Sequence, residues 1–248
     1  MIFASGISGD AILSYLDQFL LGALPYIALV LFFLVTIIRY RSSPFTYSSL
    51  SSQFLENKKH FWGLVPFHYG LITVLLGHLI GFLVPRSVLA WNAVPLRLYI
   101  LEVSALIFGF LALIGFLISM WRRLTGSKIR AVTTPMDWVL NILILFQLGS
   151  GVDIAIVYGW GSSWYASVAT PYLWSIWKLN PEIALVAAMP VMVKLHIVSA
   201  FLIIAVFPFT RLVHALVAPL HYLVRRRQVV RWYRDPVRRL IKSNPEEG

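Results

Sequence analysis

The sequence predicts an all-α integral membrane protein with five transmembrane helices, its N-terminus outside and its C-terminus in the cytoplasm. Charged residues make up only 12% of the 248 residues, about half of their share in an average soluble domain. Apolar segments of about 20 residues recur, which is long enough for a helix to cross a hydrocarbon core about 30 Å thick. Basic residues gather in short segments between these apolar stretches. We expect residues 1–248 to form a single membrane domain.

Five apolar segments are the predicted spans, and they lie near residues 20–38, 61–84, 98–121, 136–158 and 190–217. Basic residues follow the first and third spans and recur in the tail 222–248: Arg39, Arg41, Lys58, Lys59, Arg122, Arg123, Lys128, Arg130 and the arginines from Arg225 onward. Because short basic segments stay on the cytoplasmic side, this pattern sets the orientation. Four spans would put the arginine-rich tail outside. The net charge of +11 therefore indicates orientation in a membrane rather than nucleic-acid binding.

The segment between the fourth and fifth spans, residues 159–189, is rich in tryptophan, tyrosine and proline. Aromatic side chains of this kind are typical of the headgroup region of a bilayer. We expect an interfacial helix or loop there, with a short re-entrant piece as the alternative.

The chain contains no cysteine. This excludes disulfides, iron–sulfur clusters held by this chain, thiolate ligation of haem and covalent c-type haem attachment. The N-terminus has neither a positively charged region nor a clear cleavage site, so no removable signal peptide is expected.

Four of the six histidines fall inside predicted spans. His68 and His78 lie in the second span, and His196 and His214 lie in the fifth. An ionisable residue inside an apolar span is costly and is a candidate for function. His60 lies in a basic segment, where a solvated side chain is expected, and His221 lies near the inner end of the fifth span, where an interfacial side chain is expected.

The four histidines form two pairs at different depths. The second and fifth spans run in opposite directions, so His78 comes level with His196 (the outer pair) and His68 with His214 (the inner pair). Eighteen residues are five whole helical turns, so His196 and His214 share a face, and His68 and His78 differ by about 80°. The separation along the helix axis differs between the two spans: it is about 15 Å for the ten residues from His68 to His78, and about 27 Å for the eighteen from His196 to His214. Tilt or a bend near Pro208 would absorb the difference.

Two pairs of imidazoles at different depths suit two hexacoordinate haem irons. A structural zinc site would need four ligands close together, commonly with thiolates. Gly70, Gly77 and Gly81 flank the histidines of the second span and are expected to leave room for a porphyrin, with Gly70 and Gly81 as haem-binding positions. The alternatives are small-residue helix packing for the glycines and helix–helix hydrogen bonds for the histidines.

Four motifs carry a resemblance to a known family. They are Ser51-Ser52-Gln53, His68-x-Gly70 … Gly77-His78-x-x-Gly81, Ile129-Arg130-Ala131 … Thr133-Thr134 … Asp137, and Leu195-His196 … Phe207-Pro208-Phe209-Thr210-Arg211-Leu212-Val213-His214. With histidine spacings of 10 and 18, the sequence resembles the gamma subunit of respiratory nitrate reductase, a membrane di-haem cytochrome b. The resemblance covers most of the chain.

The resemblance implies a subunit of the prokaryotic cytoplasmic membrane that holds two haem b groups, the outer by His78 and His196 and the inner by His68 and His214. Such subunits oxidise a quinol near the outer haem. Electrons then pass through the inner haem to an iron–sulfur beta subunit and a molybdenum-containing alpha subunit that reduces nitrate.

The outer connecting segment departs from the family pattern. The best-known members carry a lysine there, near the quinol site, whereas residues 94–99 of this chain contain none. Arg97 and Tyr99 are the candidate replacements, beside Gly77 and His78. This departure affects the type of quinone and its affinity.

Other functions fit the same pattern. Within the same fold, the chain could be the membrane cytochrome of a sulfur-metabolism complex or of a nitrite-oxidising complex. From a different class, it could be a haem-free anchor for soluble subunits or a transporter. Discontinuous spans and inverted repeats would favour a transporter, and the sequence shows neither.

Overall fold

The computed structural model describes residues 15–43, 57–131 and 133–217, and this part of the chain is helical without any strand. Five of its helices are long and apolar enough to cross a membrane, and they span Tyr15–Ser42, Trp62–Leu83, Pro95–Thr125, Pro135–Val157 and Val191–Phe209. The prediction of an all-α membrane protein with five spans is therefore confirmed. The side on which each terminus lies remains a prediction, and the tail 222–248 and the motif at residues 51–53 lie outside the described residues.

The described α-helices include long spans and short connecting helices. In chain order they are α1 (Leu24–Ser42), α2 (Asn57–Leu83), α3 (Pro85–Asn92), α4 (Pro95–Thr125), α5 (Ser127–Ala131), α6 (Pro135–Val157), α7 (Gly161–Trp164), α8 (Thr170–Trp177), α9 (Ala184–Ala187) and α10 (Val191–Val206). A π-helical turn precedes α1 at Gln18–Ala23, and another joins α7 to α8 at Tyr165–Ala169. Proline at the first turn of α1, α4 and α6 suits these starts, because that turn has no intrahelical partner for its N–H groups.

Helices α2 and α4 pack with their backbones in close approach. A Cβ added at Gly70 would lie 2.5 Å from the backbone N of Ala112, and one at Gly115 would lie 2.5 Å from the backbone N of Phe67. Small residues allow such approach between membrane helices, where close packing and not the exclusion of water drives association. This contact fixes the helix that carries His68 and His78 against α4.

The aromatic segment between the fourth and fifth spans is partly protein core. The fully buried Tyr172 donates a hydrogen bond to the Leu21 carbonyl at 2.7 Å. The Trp174 indole donates to the Phe82 carbonyl at 3.0 Å and stacks on the Phe82 ring at 4.8 Å. Trp177 stays exposed, as an interfacial aromatic side chain would. The segment therefore ties the ends of the first and second spans together.

The fifth span, predicted near 190–217, is not one continuous helix in the structure. Helix α10 ends at Val206, a 3-10 turn follows at Phe207–Phe209, and a second 3-10 segment runs over Arg211–Val217. Thr210 between them is extended, with φ −113° and ψ 178°. Pro208 explains the break, because it has no N–H to donate and its ring clashes with the preceding turn. His196 and His214 are therefore not five whole turns apart on one regular helix, in contrast to the prediction.

Candidate functional site

Three of the four span histidines are held by the carbonyl groups of their own helical segments. The Nδ1 atoms of His68 and His78 lie 2.8 Å and 2.9 Å from the carbonyl oxygens of Leu64 and Val74. His214 Nδ1 lies 2.6 Å from the Arg211 carbonyl oxygen. Because a carbonyl oxygen only accepts, Nδ1 carries the proton and Nε2 keeps its lone pair. Each of these imidazoles therefore offers the nitrogen that a metal binds.

The fourth histidine is held by the neighbouring helix α6. His196 Nδ1 lies 2.8 Å from the Ser150 hydroxyl, which itself donates to the Gln147 carbonyl. Because the single hydroxyl proton of Ser150 is donated to Gln147, its oxygen accepts a hydrogen bond from His196 Nδ1–H. The Nε2 atom of His196 is therefore unprotonated. The Gln147 amide donates to Nε2 at 3.0 Å, and its oxygen accepts from the Ser199 hydroxyl.

Gln147, Ser150 and Ser199 were not singled out from the sequence. Ser150 and Ser199 are buried. A signal was present, since 147 and 150, like 196 and 199, are three residues apart and therefore share a helix face. Polar residues inside apolar spans are candidates for function by the criterion already applied to the histidines.

His78 of the outer pair contacts Tyr165 from the aromatic segment, with ring centroids 5.0 Å apart, and the phenol donates to the His78 carbonyl at 3.1 Å. Burial raises the pKa of Tyr165 to about 12, so the phenol stays protonated and remains a donor at neutral pH. The pairing of histidines on a shared iron stays a prediction.

The three glycines near these histidines have different surroundings. The space at Gly70 is occupied by the α4 backbone, and a Cβ at Gly81 would lie 2.8 Å from the Tyr165 ring. Gly77 meets nothing within 4 Å. Gly70 therefore serves helix packing, and Gly77 leaves open space beside His78.

Arg97 and Tyr99 lie in the first turns of α4 and contact neighbouring aromatic residues. The Arg97 guanidinium lies 5.1 Å from the Trp91 ring, and the Trp91 indole donates to the Arg97 carbonyl at 3.3 Å. The Tyr99 ring lies 5.3 Å from that of Trp160. Both candidates are exposed. They remain available to a ligand that approaches from the bilayer.

A second polar group lies around the glutamate side chain of α4. Glu102 accepts hydrogen bonds from the backbone N–H and the hydroxyl of Ser162, at 2.8 Å and 2.6 Å. The buried Asn92 amide donates to the hydroxyls of Ser162 and Ser163. These contacts fix α7 to α3 and α4. Glu102 was not singled out from the sequence either, although it is an acidic residue in an apolar span.

The family motifs of the second basic segment and the fifth span meet in the structure. Asp137 forms a capping box with Thr134 at the start of α6, and its Oδ2 lies 3.2 Å from Nη2 of Arg211. Arg123 donates to the Thr133 hydroxyl at 3.3 Å. The sequence had linked these residues only through the resemblance.

Within residues 15–43, 57–131 and 133–217, no group of three or more histidine, cysteine, aspartate or glutamate side chains could hold a metal ion. A structural zinc site needs four protein ligands. A haem iron needs at most two, since the porphyrin supplies the other four. The four span histidines, each with an unprotonated Nε2, have the donor chemistry of axial haem ligands.

Comparison with known proteins gives one family. The family described as nitrate reductase gamma subunit matches residues 17–233. The nitrate reductase gamma chain of Bacillus subtilis (strain 168) is 34% identical over 217 residues, which cover 86% of this chain and 97% of the relative. The respiratory nitrate reductase 2 gamma chain of Escherichia coli (strain K12) is 34% identical over 229 residues, 88% of this chain and 98% of the relative.

A more partial similarity extends to a different complex. One component of the dihydromethanophenazine:CoB–CoM heterodisulfide reductase of Methanosarcina barkeri (strain Fusaro / DSM 804) is 31% identical over 127 residues. The match covers 51% of this chain and 42% of the relative.

Proposed function

The chain belongs to the nitrate reductase gamma subunit family, and we propose that it is the quinol-oxidising di-haem cytochrome b of a respiratory nitrate reductase. It is a multi-pass protein of the inner membrane. The observation that carries the proposal is the hydrogen bonding of the four span histidines. Each has its proton fixed on Nδ1, which leaves Nε2 for a metal.

Two haem b groups are the proposed cofactors. His78 and His196 would hold the outer iron, and His68 and His214 the inner iron. When bound, haem b supplies a centre that takes up and releases one electron at a time. At His196 an iron would replace the hydrogen bond that Gln147 now donates to Nε2, while Ser150 would continue to hold Nδ1.

The proposed quinol site lies beside the outer pair. Gly77 leaves space next to His78, and the exposed Arg97 and Tyr99 supply a cation and a phenol at the start of α4. A quinol must lose two protons and two electrons, so its hydroxyls need hydrogen-bond partners that also hold or pass on a proton. Arg97 would orient a quinol oxygen by donating to it, and Tyr99 can both donate and accept.

The proposed partners are an iron–sulfur beta subunit and a molybdenum-containing alpha subunit on the cytoplasmic side. Arg122, Arg123 and the exposed Arg130 lie in the basic segment predicted to face the cytoplasm. This segment, together with the tail, is the proposed docking surface for the beta subunit. Electrons would leave the membrane by way of the inner pair.

The alternatives are weaker for specific reasons. The similarity to a heterodisulfide reductase component favours a cytochrome of sulfur metabolism, but it covers half of the chain, whereas the gamma chains match 86% and 88% of it. A nitrite-oxidising complex would use the same residues in the reverse direction. A transporter or a haem-free anchor would not explain why all four span histidines carry the proton on Nδ1.

The absorption spectrum of the purified chain tests the proposal. The dithionite-reduced protein is expected to show b-type bands, and haem extraction is expected to give two haems per chain. A protein without these bands would be an anchor or a transporter. One haem per chain would contradict the assignment of two pairs.

A further inference from the structure

The segment that leads to His214 is not part of a regular helix. After α10 ends at Val206, the chain passes through the extended Thr210 before it reaches His214. The Thr210 hydroxyl donates to the Phe207 carbonyl at 2.9 Å and accepts from the Leu212 N–H at 3.2 Å. Because the helix is broken here, α10 does not by itself set the direction of the His214 side chain. Other contacts must do so.

A cation from the first span holds one side of this segment. Arg39 lies in the last turn of α1, and its Nη1 donates to the carbonyl oxygens of Pro208 and Thr210, at 2.5 Å and 3.3 Å. Carbonyl groups at the end of a helix lack intrahelical partners and need others. The guanidinium supplies these partners from 169 and 171 residues away in sequence.

An anion from the fourth span holds the other side. Asp137, which is buried, pairs with the Arg211 guanidinium at 3.2 Å. The same carboxylate oxygen accepts from the backbone N–H of Thr134 at 2.9 Å, so its position is fixed by the start of α6. Charge-assisted bonds of this kind are about twice as strong as neutral ones.

Arg211 contacts His214 through its backbone. The Arg211 carbonyl accepts from His214 Nδ1–H, while the Arg211 side chain is held by Asp137. A displacement of Arg211 would therefore move the partner that fixes both the tautomer and the orientation of the imidazole.

We propose that Arg39 and Asp137 form a clamp from two different spans that positions His214 as a ligand of the inner haem. The inference rests on the proposed function. Both are positioning residues, since they act on His214 through Arg211 and the segment that leads to it. In an unbroken helix, the helical periodicity would set the direction of the His214 side chain. Here the clamp sets it instead. It also makes the inner site dependent on α1, which carries none of the four histidines.

The test compares the inner and outer haems in the assembled complex by electron paramagnetic resonance and redox titration. Asp137→Asn keeps an oxygen for the Thr134 N–H but removes the charge opposite Arg211, and Arg39→Ala removes the other arm. Both are expected to shift the low-field signal and midpoint potential of the inner haem, or to cause its loss, and to leave the outer haem unchanged. Arg211→Lys, which keeps the ion pair, should stay closer to wild type than Arg211→Gln.

Two control variants isolate the clamp from general destabilisation. Thr134→Ala weakens the capping box but leaves the Asp137 carboxylate, and Arg41→Ala removes an exposed cation from the last turn of α1. Both should leave the two haems at wild-type values. If Asp137→Asn does not assemble, Arg39→Ala still tests the clamp without touching α6.

Two results would overturn the proposal in distinguishable ways. An unchanged inner haem in both Asp137→Asn and Arg39→Ala, together with its loss in His214→Ala, would refute the clamp and leave the haem assignment intact. Retention of both haems in His214→Ala would refute the ligand assignment and the clamp with it.

Discussion

The hydroxyl of Ser150 in α6 holds the imidazole of His196 in α10, with 2.8 Å between Oγ and Nδ1. The other three span histidines donate to carbonyl groups within their own helical segments. His196 therefore depends on a neighbouring helix for its tautomer, and the packing of α6 against α10 becomes part of the site.

Ser150→Ala should perturb the outer haem selectively. The substitution leaves the His196 Nδ1–H without its acceptor, and loss of such a partner typically weakens metal binding by about 10–100-fold. A weaker electron donor to iron also favours the reduced state, so the midpoint potential of the outer haem should rise. Haem content and redox titration measure both effects. Ser104→Ala is the control, because the Ser104 hydroxyl donates only within its own helix, to the Leu101 carbonyl. Equal effects of the two substitutions would refute the role of Ser150.

Replacement of single histidines should sort the four into two groups. His78→Ala and His196→Ala are expected to lose the outer haem, and His68→Ala and His214→Ala the inner haem, because each substitution removes one of the two axial ligands that hold the iron. Optical and paramagnetic resonance spectra of the four variants identify which haem remains. Loss of the same haem from the His68 and His78 variants would contradict the pairing.

Gly70→Ala should destabilise the protein without acting on the haems directly. A methyl group at Gly70 would lie 2.5 Å from the Ala112 backbone, and overpacking of this kind costs about 1–3 kcal/mol. Thermal unfolding in detergent should show a lower midpoint. Gly149→Ala, where an added Cβ meets nothing within 4 Å, is the matched control and should be neutral or slightly stabilising. A stable Gly70→Ala protein that lacks a haem would instead support the porphyrin-space interpretation.

Arg97→Ala should slow the oxidation of a quinol analogue while both haems remain. The side chain is exposed beside Trp91 at the start of α4 and can donate to a quinol oxygen. Arg86→Ala removes an exposed cation from α3 and serves as the control. If the rate and inhibitor affinity of Arg97→Ala equal those of wild type, Arg97 is an interfacial anchor. The site would then be built from Tyr99 or the aromatic segment.

A single cysteine at Ser243 tests the orientation. The chain has no cysteine of its own, so a membrane-impermeant thiol reagent would report on that position alone. The positive-inside rule puts the tail in the cytoplasm. Labelling should therefore occur only in broken cells. Labelling in intact cells would contradict the predicted topology.

Features that depend on local composition were predictable from the sequence. The five spans follow from apolar length alone, and Pro208 indicated where the fifth would bend. The extended Thr210 was not predictable, because a proline marks a break without fixing the conformation that follows. Contacts between distant residues, such as Ser150 with His196, require the packing of two helices. The surroundings of Gly70 depend on packing in the same way, since only the structure shows that the α4 backbone lies against it.

The partners of α1 and of the turn before it come from the last third of the chain. Tyr26 donates to the carbonyl of Ile176, and Asp17 pairs with Lys194. Arg39 reaches Pro208. At about 5–20 residues per second, synthesis of the 150 residues between Tyr26 and Ile176 takes roughly 8–30 s. Helix α1 therefore waits among lipids or beside the insertion machinery until the segment that holds these partners has been made.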